Sequence, residues 1–176
     1  YLTSISFADA QLGRLLDALD SSPHSENTVI VLWSDHGWHL GEKQHWHKST
    51  LWARATRVPF VVVAPGVTTA GTKCSRPVSL IDIYPTLIEL CGLTPKGAPD
   101  GTSRAPLLKE PGARWNRPAV ITRGRGNHAV RTERWRYIRY RDGGEERYDH
   151  KNDPNEWTNL AQRPGLEELK KKLARW

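Results

Sequence analysis

Three observations predict an α/β fold that opens on a large, mostly parallel sheet and ends in a small antiparallel four-stranded subdomain with a C-terminal helix. Residues 29–33 and 58–63 are uninterrupted apolar runs, the pattern of strands buried on both faces of a parallel sheet. Ahead of them, Ile5, Leu12, Leu15, Leu16 and Leu19 recur at helical spacing, which marks a helix over residues 3–19. Beyond residue 118 the pattern changes to short segments of alternating side chains broken by Gly-rich turns, the mark of an antiparallel meander.

Taken in order, the first helix stops before a polar linker at residues 20–27, and the strand that follows ends abruptly at Asp35, His36 and Gly37. Open α/β sheets place their ligand sites at the carboxyl ends of such strands. A hard carboxylate beside an imidazole is a pair of candidate metal ligands, and Gly37 lets the backbone turn sharply past whatever they hold. By itself Asp-His-Gly also describes an ordinary polar turn. Residues 38–52 form a loop crowded with His, Lys and Trp, and the second apolar run ends at Pro65-Gly66, a turn signal. Pro85 is well placed at the first position of a short helix that runs through Leu90 and ends at Gly92. From 94 to 118 the composition shifts to Pro, Gly and charge, which marks a linker and divides the chain at about residues 1–105 and 106–176. There is no internal repeat.

The meander is expected over residues 119–122, 129–132, 135–140 and 146–149, its last turn being Asp142-Gly143-Gly144. In Arg134-Trp135-Arg136-Tyr137-Ile138-Arg139-Tyr140-Arg141, arginines alternate with apolar side chains. Two readings apply: a strand packed on one face, with arginine stems along the sheet and heads in water, or a single-stranded nucleic-acid surface of stacking rings and phosphate-binding guanidiniums. The alternation favours the packed strand, so nucleic acid is not an expected partner. A final helix over residues 165–174 presents Leu166, Leu169 and Leu173 on one face and leaves Lys170, Lys171 and Lys172 solvated.

At 176 residues with 38% hydrophobic content, the chain has enough apolar material for a core. A mean hydropathy of -0.62 and the lack of any long apolar run exclude a membrane-spanning helix. The net charge of +7 and pI near 9.6 favour anionic ligands. Cys74 and Cys91 are expected to be buried free thiols rather than a disulfide framework. The chain holds no Met and begins inside a helical pattern, so it is expected to be the carboxy-terminal part of a longer protein.

The order of these pieces resembles the sulfatase family of the alkaline phosphatase superfamily, and within it the iduronate-2-sulfatase-like and choline-sulfatase-like members. The residues that carry the resemblance are Tyr1 to Asp9, Ser34-Asp35-His36-Gly37, Leu40-Gly41-Glu42, Trp46-His47-Lys48, Thr56-Arg57-Val58-Pro59 and Ala64-Pro65-Gly66. Asp82-Ile83-Tyr84-Pro85-Thr86-Leu87 and the stretch from Tyr148 to Leu160 continue it. The resemblance implies that the first part belongs to a sandwich around the large sheet and the last part to a small carboxy-terminal subdomain. It implies a sulfuric ester hydrolase in which Asp35 and His36 bind a divalent metal, usually Ca2+, and Lys48 contacts the sulfate and offsets charge during cleavage.

His45 is the preferred second substrate contact over His47, although a loop histidine bonded to backbone explains it equally well. Trp38, Trp46 and Trp52 either wall a pocket or pack the loop, His39 is expected to be structural, and His24, His128 and His150 receive no role. The family's Cys/Ser-x-Pro-x-Arg motif is missing: Cys74 precedes Ser75-Arg76-Pro77 and Cys91 precedes Gly92-Leu93-Thr94. The formylglycine nucleophile and an early Asp-Asp metal pair are therefore expected on a preceding segment, and this chain alone is expected to be inactive. A sulfated small molecule or glycan is the implied partner, and the implied compartment is periplasmic, extracellular or lysosomal. The alternatives are a phosphoesterase or phosphonate hydrolase of the same superfamily and a non-catalytic anion-binding module.

Overall fold

The computed structural model describes residues 1–176. The helix α1 spans Leu2–Asp20 and buries none of its residues. Strand β1, Ile30–Trp33, and strand β2, Phe60–Val63, form a two-stranded sheet joined by the His- and Trp-rich loop. They pair antiparallel, from Ile30 opposite Val63 to Trp33 opposite Phe60, and Leu32, Trp33, Val61 and Val63 are exposed. This corrects the expectation of two parallel strands buried on both faces. Parallel neighbours need a crossover that carries the chain back along the sheet, and the connection here contains only a single 3-10 turn, Glu42–Gln44, and one helical turn, α2, Ala53–Thr56. An unbroken apolar run specifies a strand but not the direction of its partner.

Helix α3, Ile83–Leu90, follows a 3-10 turn in which Ser79 and Asp82 cap each other reciprocally. Asp82 is buried and bound by Arg104, whose Nε lies 2.7 Å from Asp82 Oδ2. That ion pair seats α4, Ala105–Lys109, with Ala105 and Leu107 buried, so the stretch read as a linker carries a packed helical turn. Both cysteines are free, as expected, but exposed rather than buried.

The meander forms as predicted. Strands β3 (Ala119–Thr122), β4 (His128–Arg131), β5 (Trp135–Arg139) and β6 (Glu145–Asp149) make one antiparallel sheet in chain order. Its two faces do different work. Val130, Tyr137 and Trp135 pack against Leu169 and Leu173, so this face is covered by α5, Glu167–Leu173. On the other face Ala129, Ile138 and Tyr148 enclose Leu51, with Trp52 packed against them. Leu51 and Trp52 belong to the loop between β1 and β2, so the principal core crosses the division drawn near residue 105. No helix is long and apolar enough to cross a membrane.

One expectation about β5 fails in an informative way. The Arg134–Arg141 alternation predicts arginine heads in water, yet Arg136 is 2% exposed, and Arg147 on β6 is 1% exposed. Arg147 donates to the carbonyls of Leu160, at 2.5 Å, and Leu166, at 2.8 Å. Arg136 donates to the Leu51 carbonyl at 2.8 Å and lies 2.6 Å from Glu156. Buried guanidinium groups are tolerated where such partners exist, and none of those partners is close in sequence.

Candidate metal and anion site

The site is built from the end of β1. Gly37 donates to the Ala55 carbonyl at 2.9 Å, and a Cβ at that position would stand 2.0 Å from the Arg54 carbonyl oxygen. Only glycine lets the backbone leave β1 so close to α2. Just before it, Asp35 is exposed and His36 half-buried, their side chains 82% and 33% accessible. Asp35 Oδ1 accepts from the His36 backbone N–H at 3.1 Å, and Asp35 Oδ2 lies 3.5 Å from His36 Nε2.

The protonation pattern of His36 follows from its partners. Nδ1 is 2.9 Å from the Gly37 carbonyl, and a carbonyl can only accept, so Nδ1 carries the proton. Nε2 therefore presents its lone pair, which accepts from Lys48 Nζ at 2.8 Å. A histidine whose Nδ1–H is pinned to backbone and whose Nε2 lone pair faces a carboxylate has the arrangement of a metal ligand with its outer partner in place. Asp35 and His36 thus fit a divalent cation as two members of its shell. Nowhere in the chain do three or more His, Cys, Asp or Glu side chains gather into a metal-binding group, and Ca2+ takes about six to eight oxygen-rich ligands. Two donors are a partial site.

The structure brings Lys48 to Asp35 and His36 and keeps His45 one step back. His45 Nε2 donates to the Lys48 carbonyl at 3.1 Å, and His47 Nδ1 lies 3.2 Å from the same oxygen. Both imidazoles thereby brace the backbone that carries Lys48. His39 is fully buried, with Nε2 2.9 Å from Thr50 Oγ1, and its pKa is held below the ordinary histidine value by burial first and by the neighbouring His45 second. Among the tryptophans, Trp52 packs onto the small sheet and donates to Glu146 Oε2 at 2.6 Å. Trp46 is exposed and stands over Gly41, whose left-handed φ of 118° is one that favours glycine.

What holds this loop was not legible as chemistry in the sequence. Glu156 is 1% exposed. It accepts from the Ala53 backbone N–H at 2.8 Å and from His150 Nε2 at 2.7 Å, and it lies 2.6 Å from Arg136 Nε. Burial pushes its carboxyl pKa up, but the His150 hydrogen bond and the Arg136 charge outweigh that and hold it below the usual glutamate value. Lys43 adds a second tie, with Nζ 4.7 Å from the ring centres of both Trp52 and Tyr148 and 3.1 Å from the Tyr148 hydroxyl. The only signal for Glu156 and His150 was their place in the late stretch from Tyr148 to Leu160, which carries the family resemblance without revealing a contact.

Asp35, His36 and Lys48 open onto a cleft of about 1260 Å³ between the loop and the small sheet. A smaller cavity of about 650 Å³ behind the loop is lined by His39, Glu42, Lys43 and Trp52 and contains none of the three.

Comparison with known proteins shows the family. The profile of the family described as Sulfatase matches residues 1–93. The chain belongs to the sulfatase family. A sulfatase of Formosa agariphila is 45% identical over 161 residues, covering 92% of this chain and 32% of that protein. The choline-sulfatase of Rhizobium meliloti is 31% identical over 172 residues, covering 93% of this chain and 33% of its own length. Among solved structures, the phosphonate monoester hydrolase of Agrobacterium radiobacter superposes with a TM-score of 0.80 at 29% identity, over 97% of this chain and 38% of that one. This sulfatase-family chain spans about a third of the length of the curated relatives it matches.

Proposed function

We propose that this chain is the carboxy-terminal part of a metal-dependent sulfuric ester hydrolase that acts on a sulfated small molecule or glycan. The observation that carries the reading is the meeting of Lys48 Nζ with a His36 Nε2 whose proton is fixed on the other nitrogen, beside the Asp35 carboxylate. In this reading Asp35 and His36 are two ligands of a Ca2+ whose other ligands lie on a segment outside this chain, together with the formylglycine nucleophile. The apolar side chains left open on α1, β1 and β2 fit the same reading, as the surfaces against which the remainder of a large sheet packs.

The chain's own residues have defined tasks. Bound Ca2+ supplies polarisation of the sulfate oxygens. Lys48 offers three N–H donors on a compact charge, one of them given to His36, and would use its free donors to meet sulfate oxygens and offset charge that builds there. His36 keeps its proton at Nδ1, on the Gly37 carbonyl, so its other nitrogen stays a ligand and not an acid. His45 fixes the Lys48 backbone. The Glu156, Arg136 and His150 cluster holds the loop in register behind them.

Likeness to a phosphonate monoester hydrolase supports a second reading, in which the same site takes a phosphorus ester. Parallel assays of the full-length protein that carries this chain, with 4-nitrophenyl sulfate and phenyl phosphonate esters in the presence of Ca2+, separate the two. Faster release of sulfate is expected. Preference for the phosphonate would replace the sulfatase reading, and turnover of neither would leave an anion-binding module.

A further inference from the structure

In the antiparallel ladder of the small sheet, Arg131 on β4 stands directly opposite Arg136 on β5. Like charges in that relation repel and destabilise the pair. Arg136 is compensated by Glu156. Arg131 has no carboxylate within ion-pair distance, and its one hydrogen bond goes to the carbonyl of its neighbour Thr132. Glu156 is already occupied by Arg136, His150 and the Ala53 amide, and Glu133 by Arg76 and Ser75.

Arg131 shares its face of β4 with Ala129, because side chains two apart on a strand point the same way, and that face looks onto the site loop. It lines the same cleft as Asp35, His36 and Lys48. The exposed Arg57 lines it too and has no acidic partner. Asp35 and Glu133 are the only carboxylates among the lining side chains. Burial first, and then the charge of Arg136, lower the Arg131 pKa to about 10, with Glu156 and Glu133 offsetting only part of that from beyond ion-pair distance, so the guanidinium remains cationic at neutral pH while lying in a place that penalises a charge with no directly paired partner.

We propose that Arg131, assisted by Arg57, is an anion subsite of the cleft that binds a second negative group, a carboxylate or another sulfate, on the same substrate that presents its scissile sulfate to Lys48. The inference rests on the sulfatase reading for the first anion and adds a preference for acidic, multiply charged saccharides over monosulfated ones. A planar guanidinium suits both oxyanions because each accepts two parallel N–H donors.

The test measures binding of three probes to the full-length protein by calorimetry. They are N-acetylglucosamine 6-sulfate, the unsaturated chondroitin 6-sulfate disaccharide with its uronate, and glucosamine carrying N- and 6-O-sulfates. Arg131→Gln is expected to weaken a dianionic probe about tenfold more than the monoanionic one, the scale of one charged bidentate contact. Loss confined to the uronate probe assigns a carboxylate to the subsite; loss confined to the disulfate assigns a sulfate. Arg57→Gln, at an exposed position, guards against a folding artefact and is expected to show the same preference with a smaller loss. Equal effects on all three probes, or none, overturn the subsite. If Arg131→Gln shows the selective loss while the parent protein releases no sulfate from any probe, the subsite stands and the sulfatase reading falls. Failure of the parent protein to bind any of the three overturns both.

Discussion

Two sheets in this chain are made of similar apolar residues and are closed to very different degrees. The β1 and β2 pair leaves Leu32, Trp33, Val61 and Val63 exposed, and the adjoining α1 buries nothing. The four-stranded sheet buries Ala129, Val130, Tyr137, Ile138 and Tyr148, one face against α5 and the other against the site loop. The residues proposed to meet metal and sulfate lie in the loop that joins the two open strands, whereas the groups that fix this loop are Arg136 on the closed sheet and His150 and Glu156 just beyond its last strand. The small sheet is therefore a clamp on the site as well as a separate packing unit, and its grip is a buried ion-pair cluster rather than apolar contact alone.

The sharpest way to break the comparison is to remove one half of that cluster. Arg136→Ala leaves Glu156 buried with its main charge partner gone, and the expected cost is about 3–5 kcal/mol, read as a fall in the denaturation midpoint. Ile138→Ala opens a cavity in the closed sheet and is expected to cost about 2–5 kcal/mol. Val61→Ala on the open sheet should cost under about 1 kcal/mol within this chain, since the side chain is already half in water. Equal losses at Ile138 and Val61 in chemical denaturation would show that the open sheet is closed in solution.

Acidification sharpens the same contrast. Asp149 is held at about 2 by hydrogen bonds from Arg134, against an ordinary value of 3.8, and Glu156 is also held below its ordinary value. Both folded-state values are depressed, so each carboxylate contributes stability that is fully present above its ordinary value and is lost as pH falls through the folded one. Unfolding of the small sheet is expected to begin as pH drops below about 4 and to extend toward about 2, followed by circular dichroism. The smallest effect belongs to Lys171→Ala. Its pair with Glu168 is fully on the surface, and about 0–1 kcal/mol is expected.

The small sheet was legible because period-two alternation and the Asp142-Gly143-Gly144 turn are local signals, and its four strands fall within a residue of their predicted limits. Asp35, His36 and Lys48 were legible from an abrupt change of chemistry at the end of an apolar run together with the family resemblance, and the structure places the three side by side. The direction of pairing between β1 and β2 was not, because apolar runs look alike in either sense. Burial of Arg136 was not, because its partners Leu51 and Glu156 lie far away in sequence, and a strand pattern cannot say which arginine head finds a carboxylate. His150 was given no role for the same reason: its one task is to donate to Glu156.

The most direct test of the site is Lys48→Ala in the full-length protein, with sulfate release measured across a Ca2+ titration. Because Lys48 is assigned to the sulfate and Asp35 and His36 to the metal, kcat is expected to fall about 100-fold or more while the Ca2+ concentration needed for half-activation stays where it is. A Lys48→Ala protein that releases sulfate at the parent rate would contradict the assignment of the sulfate contact.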